Sequence, residues 1–125
     1  MKLLLDTHAL LWALADQERL SPNAKRAIIS DENLVFVSMV SLWELTIKQG
    51  LKKINLPANL FDKLEKEGFE TLPLTFGHLN RLQDLPLLHR DPFDRMLVAQ
   101  AQHEQLTLVT RDEKILEYNV SSLQA

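Results

Sequence analysis

The chain has 125 residues, 46% hydrophobic and 25% charged, with 3 Gly and 5 Pro; this excludes disordered, collagen-like and low-complexity chains and fits one globular domain spanning residues 1–125. A domain of this length buries about two-thirds of the surface its unfolded chain exposes, so a bound metal would be functional rather than a staple. With no cysteine there is no disulfide, thiolate zinc site or cysteine nucleophile. Against 17 acids stand 14 Lys and Arg, a net charge of −3, which excludes a wide basic surface holding nucleic acid by charge alone. Setting four acids aside as a cation-binding cluster leaves the remainder near neutral, so a local basic rim is compatible.

Lys2 to Leu5 reads as a short buried strand, and Asp6-Thr7 starts a helix with apolar spacing at Leu10, Leu11 and Leu14. Lys2, the apolar run and Ala13-Leu14-Ala15 imitate a secretory leader, but Asp6 and His8 occupy what would be its apolar centre. No run approaches the roughly 18 apolar residues of a membrane span. The expectation is a cytoplasmic protein with no membrane partner.

Ser21-Pro22 opens a second helix, with Ser as N-cap and Pro at the first helical position. Leu34 to Val37 is the next strand, and Met39 to Gln49 a helix closed by Gly50. Pro57 to Glu67 reads as an amphipathic helix, Glu70 to Leu74 as a short strand, and Thr75 to Leu85 as a helix ending before Pro86. Asp91-Pro92 begins a helix carrying Phe93, Met96, Leu97 and Ala101 on one side. Leu106 to Thr110 is a strand, Asp112 to Tyr118 a helical turn, and Val120 to Leu123 an edge strand. Apolar strands alternating with helices specify an α/β fold of three layers, α/β/α, around a parallel sheet. In such sheets ligands bind beyond the carboxyl ends of the strands, where strand order reverses.

Four acids from distant parts of the chain point toward that rim. Asp6 follows the first strand directly, and Asp112 lies just past the Leu106 strand. Glu44 sits early in the helix after the second strand, and Asp94 lies in the first turn of the Pro92 helix. Each also has a local reading. Asp6, Asp91 and Asp112 suit N-caps, Asp94 a first-turn acid favoured by the helix dipole, and Ser41-Leu42-Trp43-Glu44 a capping box. If Ser38 is the true cap, however, Glu44 lies inside the helix facing apolar neighbours, where a carboxylate is costly unless paired or bound to a cation. Asp91 reads as the cap and at most a helper to Asp94. Crowded ionised carboxylates repel one another unless a cation neutralises them, and oxygen donors without thiolates select a hard ion, Mg²⁺ or Mn²⁺. Water activated by such an ion implies phosphodiester hydrolysis.

Three segments carry a family resemblance: Met1–His8 (MKLLLDTH), Val37–Lys48 (VSMVSLWELTIK) and especially Arg90–Asp112 (RDPFDRMLVAQAQHEQLTLVTRD). They resemble the PIN-domain ribonucleases, in particular the VapC-type toxins of bacterial toxin–antitoxin operons, over essentially the whole chain. The resemblance implies a PIN-like fold with metal-binding acids at Asp6, Glu44, Asp94 and Asp112, supported by Thr7 and Thr110. It further implies an Mg²⁺- or Mn²⁺-dependent endoribonuclease acting on RNA, a homodimer, and a cognate antitoxin whose C-terminal part occupies the groove.

The remaining candidates carry less. The four histidines show no H-x-x-x-H or H-E-x-x-H spacing, which disfavours a zinc protease. His8, two residues from Asp6, is either a substrate contact or a plain structural histidine. Trp12 and Trp43 read as packing or interface residues. Arg90, Arg95 and Arg111 flank the acids and either pair with them or grip a phosphate, ion pairs being the simpler reading. Lys48, Lys52 and Lys53 read as a solvated helix end. Two rival functions are a haloacid-type phosphatase, which expects Asp rather than His at position 8, and a non-catalytic metal- or protein-binding module.

Overall fold

Side-chain alternation along three short apolar strands divides the interior into two halves. The computed structural model describes all 125 residues. In chain order the elements are β1 (Lys2–Leu5), α1 (Thr7–Ala15), a 3₁₀ turn (Gln17–Arg19), α2 (Pro22–Ile29), β2 (Leu34–Ser38), α3 (Met39–Gly50) and α4 (Leu60–Lys66). The second half adds β3 (Glu70–Leu72), α5 (Phe76–Gln83), α6 (Pro92–Glu104), β4 (Thr107–Thr110), α7 (Glu113–Leu116) and β5 (Ser122–Gln124). Leu3, Leu5, Val35, Val37 and Val109 pack on one side with Leu10 and Leu14 of α1, Leu42 and Leu45 of α3, and Leu60 and Leu64 of α4. Leu4 and Leu108, one residue out of phase, pack on the other with Leu97, Val98 and Ala101 of α6 and Ile115 of α7. Successive strand side chains face opposite ways, so a sheet covered on both faces must be apolar at nearly every position, which gives the expected three-layer α/β/α fold.

All five strands are parallel, in the order β3-β2-β1-β4-β5. The chain runs outward from β1 to β3, returns to the other side of β1 as β4, and continues to β5. Strand order therefore reverses between β1 and β4. Leu5 lies opposite Val109, and the Asp6 amide donates to the Val109 carbonyl at 3.1 Å, so these two strands end side by side. That reversal point is where open α/β sheets bind ligands.

Several boundaries differ from the sequence expectation. The helix expected from Pro57 starts at Leu60, because Pro57 to Asn59 form a turn in which the Leu60 amide donates to the Pro57 carbonyl. Helix α3 runs through Gly50, and the left-handed conformation beyond it falls on Lys52 (φ 59°) rather than on a glycine. Strand β3 stops at Leu72, because Pro73 has no amide to donate and its neighbour strand ends at Ser38. Thr75 caps α5 in a box closed by the His78 ring, and the helix ends at Gln83. Strand β4 begins at Thr107, one residue late, and β5 lies at Ser122–Gln124 rather than Val120–Leu123, in register with Leu108 to Thr110.

Ser38 both caps α3, accepting from the Val40 amide at 3.0 Å, and donates to Gln100 Oε1 of α6 at 2.6 Å, with both side chains fully buried. Ser38→Ala removes a cap and strands a buried carbonyl, so we expect a loss of about 2–3 kcal/mol in urea denaturation. Gly50→Ala, at a helical position with open space where Cβ would stand, should instead gain about 0.5 kcal/mol.

Candidate functional site

Two of the four sequence-predicted acids, Asp6 and Asp112, divide their polar contacts so that helix capping and site formation coexist. Asp6 leaves β1 in an extended conformation and caps α1, its Oδ1 accepting from the Ala9 amide at 2.8 Å. Its Oδ2 accepts from the Thr110 hydroxyl at 2.6 Å, across the junction with β4. Thr110 Oγ1 accepts in turn from the Asp112 amide at 3.1 Å, so one threonine ties two of the acids. Asp112 caps α7 through Oδ1, which accepts from the Lys114 amide at 2.8 Å.

Glu44 is not part of a capping box. Ser38 is the cap of α3, and Ser41 lies within the helix. Glu44 is only 6% exposed, and its Oε1 accepts from the Thr7 hydroxyl at 2.8 Å while Oε2 pairs with Lys48 Nζ at 2.9 Å. Thr7 directly follows Asp6, so its bond to Glu44 draws α3 against the start of α1; the Ser41 hydroxyl stands 3.2 Å away. Lys48 is thus a partner of the site rather than a purely solvated helix end.

Asp91 caps α6, its Oδ1 accepting from the amides of Phe93 at 2.8 Å and Asp94 at 3.1 Å. With the helix start satisfied by Asp91, the Asp94 carboxylate turns elsewhere. Its Oδ2 accepts from His89 Nε2 at 3.0 Å, and the same nitrogen lies 3.7 Å from Asp112 Oδ2. One donor atom from each of His89, Asp94 and Asp112 falls within 4.8 Å of the others. Asp6 and Glu44 lie outside that tightest group, so the acids form two linked sets rather than one cage. Asp112 joins the sets, its charge acting on both Asp6 and Asp94, while Glu44 acts on Asp94.

Burial is the largest influence on both perturbed acids. It raises the Asp6 carboxyl above its ordinary range with help from the Asp112 charge, against the lowering effects of Thr110, the Ala9 amide and His8. Asp94 is pushed up to about 7 by burial and then by the charges of Asp91, Asp112 and Glu44, with His89 opposing. A carboxyl pushed up to about 7 by burial and acidic neighbours, as Asp94 is, fits a divalent cation, which would displace its proton. Oxygen-rich donors suit Mg²⁺ or Mn²⁺, and the imidazole of His89 suits the second better.

His89 is the site residue that sequence reasoning missed. It lies in an aperiodic loop, outside any metal-ligand spacing, and its one signal was proximity to the Asp91–Asp94 segment. The arginines also differ from expectation. Arg95 donates to the Leu85 carbonyl at 3.1 Å, with its buried Nε unpartnered, and Arg111 donates to backbone carbonyls of Ala125 and Arg19. Neither pairs with the acids, and Arg90 is exposed without an ion pair. Trp12 is partly buried, whereas Trp43 is exposed and meets Phe93 edge-on, with centroids 5.1 Å apart.

A family model described as the PIN domain matches residues 3–120. Among solved structures the chain is similar to VapBC2 from Rickettsia felis bound to a promoter DNA fragment, with TM-score 0.74, 19% identity and 98% of each chain covered. It is also similar to FitAcB from Neisseria gonorrhoeae, with TM-score 0.65, 20% identity and coverage of 98% of this chain and 96% of that one. A toxin–antitoxin complex from Klebsiella pneumoniae matches with TM-score 0.61, 18% identity and 97% and 95% coverage. No curated protein sequence matches significantly.

The raised Asp94 carboxyl has a stability consequence. Between the unfolded value near 3.8 and the folded value near 7 the native state holds a proton that the unfolded chain releases, so stability falls as pH rises through this window. The penalty is complete above pH 7. Asp94→Asn should therefore stabilise the metal-free protein by about 2–4 kcal/mol at pH 8 and by almost nothing at pH 4, measured by chemical denaturation. Divalent cation should stabilise the wild type at pH 8 and do so far less in the variant.

Proposed function

The chain belongs to the PIN domain family, and from that premise we propose that it is an Mg²⁺- or Mn²⁺-dependent endoribonuclease, a VapC-type toxin that hydrolyses RNA phosphodiester bonds and is silenced by a cognate antitoxin. The observation that carries this reading is the gathering of Asp6, Glu44, Asp94 and Asp112 around the β1–β4 junction, with Asp94 held near pKa 7 by burial and by its acidic neighbours. These four acids would hold the cation. When bound, the cation would supply an activated water and positive charge to offset the negative charge developing on the phosphate.

The chain's own residues hold these acids in place. Thr110 fixes Asp6 and Thr7 fixes Glu44 by donating to one oxygen of each, which removes rotamer freedom that the repelling charges would otherwise use. Asp91 saturates the start of α6, so Asp94 need not act as its own cap. His89 donates to Asp94 and partly screens it from Asp112. Lys48 balances Glu44 and so is not free to bind phosphate.

The antitoxin and the homodimer belong to the same proposal. Met39, Trp43, Ile47 and Leu51 are exposed at every fourth position along and just beyond α3, and Phe76, Leu79, Leu87 and Leu88 are exposed around α5 and the following loop. Apolar exposure on that scale in a small chain favours protein partners.

Asp6→Asn, Glu44→Gln, Asp94→Asn and Asp112→Asn should each slow cleavage of RNA by about 10²–10³-fold with circular dichroism unchanged, and EDTA should abolish wild-type cleavage until Mg²⁺ or Mn²⁺ is restored. Intact cleavage by Asp6→Asn or Asp94→Asn would refute the site. A flat calorimetric Mg²⁺ titration with no cleavage would point to the non-catalytic binding module.

A further inference from the structure

Beside the acids lies a second constellation that the proposed chemistry does not use. His8 is exposed on the first turn of α1, and Trp12 follows one turn later on the same side. Their rings stack with centroids 5.9 Å apart and planes 17° from parallel. The guanidinium carbon of Arg111 sits 4.3 Å from the Trp12 ring centroid. Arg111 is pinned there by hydrogen bonds to the Ala125 carbonyl at 2.6 and 3.1 Å and to the Arg19 carbonyl at 2.5 Å. Trp12 is held from below by the apolar cluster beneath α1. The His8 side chain makes no hydrogen bond, and it is near enough to Asp6 to act on its carboxyl. The two ends of the stack are bonded in sequence to the acids: His8 lies two residues after Asp6, and Arg111 lies between Thr110 and Asp112.

Such a rigid stack bordering a cluster of acids has few uses in packing, since its outermost ring stands in solvent. It answers a difficulty in the proposed function. A chain of net charge −3, with Lys48 paired to Glu44, offers a polyanion little long-range attraction, although Arg90 beside the acids is exposed and free of ion pairs. Stacking on aromatic rings adds affinity for nucleic acid beyond what charge supplies, without base-specific hydrogen bonds, and it requires a base whose face is free.

We infer that His8, backed by Trp12 and Arg111, is a stacking platform for an unpaired nucleobase of the RNA next to the scissile phosphate. The inference rests on the endoribonuclease reading above.

The test combines kinetics with fluorescence. The chain has 2 tryptophans, so Trp43→Phe leaves Trp12 as the only one. In that background, a hairpin RNA with an unpaired loop should quench Trp12 emission in the absence of divalent cation, and a fully paired duplex of the same length should not. Against the hairpin, His8→Ala should raise KM about five- to tenfold with kcat changed less than twofold, His8→Phe should restore the wild-type KM, and His8→Lys should not. Wild-type KM in His8→Ala overturns the platform, as does rescue by Lys equal to that by Phe. A defect confined to antitoxin affinity also overturns it and assigns the stack to the protein partner. Cleavage lost in the acid variants but indifferent to His8 sinks this inference alone, whereas a wild type that neither binds nor cleaves RNA sinks the endoribonuclease reading with it.

Discussion

Like charges crowded where two parallel strands end are the constraint around which this molecule is arranged. Burial and neighbouring acids both penalise ionisation at Asp94, and burial does so at Asp6. The surrounding structure meets that repulsion with short, directional contacts. Thr110 spans β4 to Asp6, Thr7 spans α1 to Glu44, and His89 reaches from the loop before α6 to Asp94. The two threonines are held by their own elements, and relaxing the charges by swinging a carboxylate away would break a bond to a buried or half-buried group. A bound cation would relieve that repulsion.

A carboxylate has two oxygens, and here they do different things. Asp6 gives one to the α1 amide and the other to Thr110, while Asp112 gives one to α7 and leaves the other facing His89. Capping and site membership are therefore not competing explanations for these residues. The cap orients the side chain, and orientation is what leaves the second oxygen aimed at the site. Asp91 shows the contrast. Its Oδ1 takes two backbone amides, and its influence on the site runs through the position and charge of Asp94.

Much of this arrangement was legible in the chain because it depends on periodicity and on sequence distance from strand ends. Four-residue apolar runs flanked by caps gave the parallel sheet, and the acids just beyond them gave the rim. What stayed illegible depends on three-dimensional neighbours. Nothing near His89 in sequence reveals that its loop folds back over α6, and no spacing rule shows that Arg95 and Arg111 prefer carbonyls to the acids beside them. Helix ends failed for a related reason: Gly50 looks like a stop, yet with open space around it the helix continues and Lys52 takes the left-handed turn. Glu44 was decipherable only after choosing between two serines as the cap, a choice that rotates the whole helix relative to the rim.

The acids also depend on a layer that carries no charge to the site. Glu44 rides on α3 and Asp94 on α6, and where these helices meet the apolar contacts are few, chiefly Val40 against Met96 and Ala99. Apolar contact is nondirectional and tolerates sliding, whereas a buried hydrogen-bond chain does not. Such a chain lies there: Ser38 at the start of α3 donates to Gln100, Gln100 Nε2 reaches His78 Nδ1 at 3.3 Å, and His78 Nε2 donates to Glu104 at 2.8 Å near the end of α6. The Thr75 amide also donates to His78 Nδ1, which leaves the ring proton on Nε2 and gives the chain a single direction. Of its links, Ser38 to Gln100 ties the start of α3 to α6, and the two through His78 tie α5 to α6. The placing of Glu44 relative to Asp94, and with it the repulsion that a cation would relieve, thus leans on a buried polar link, Ser38 to Gln100, that takes no part in the site.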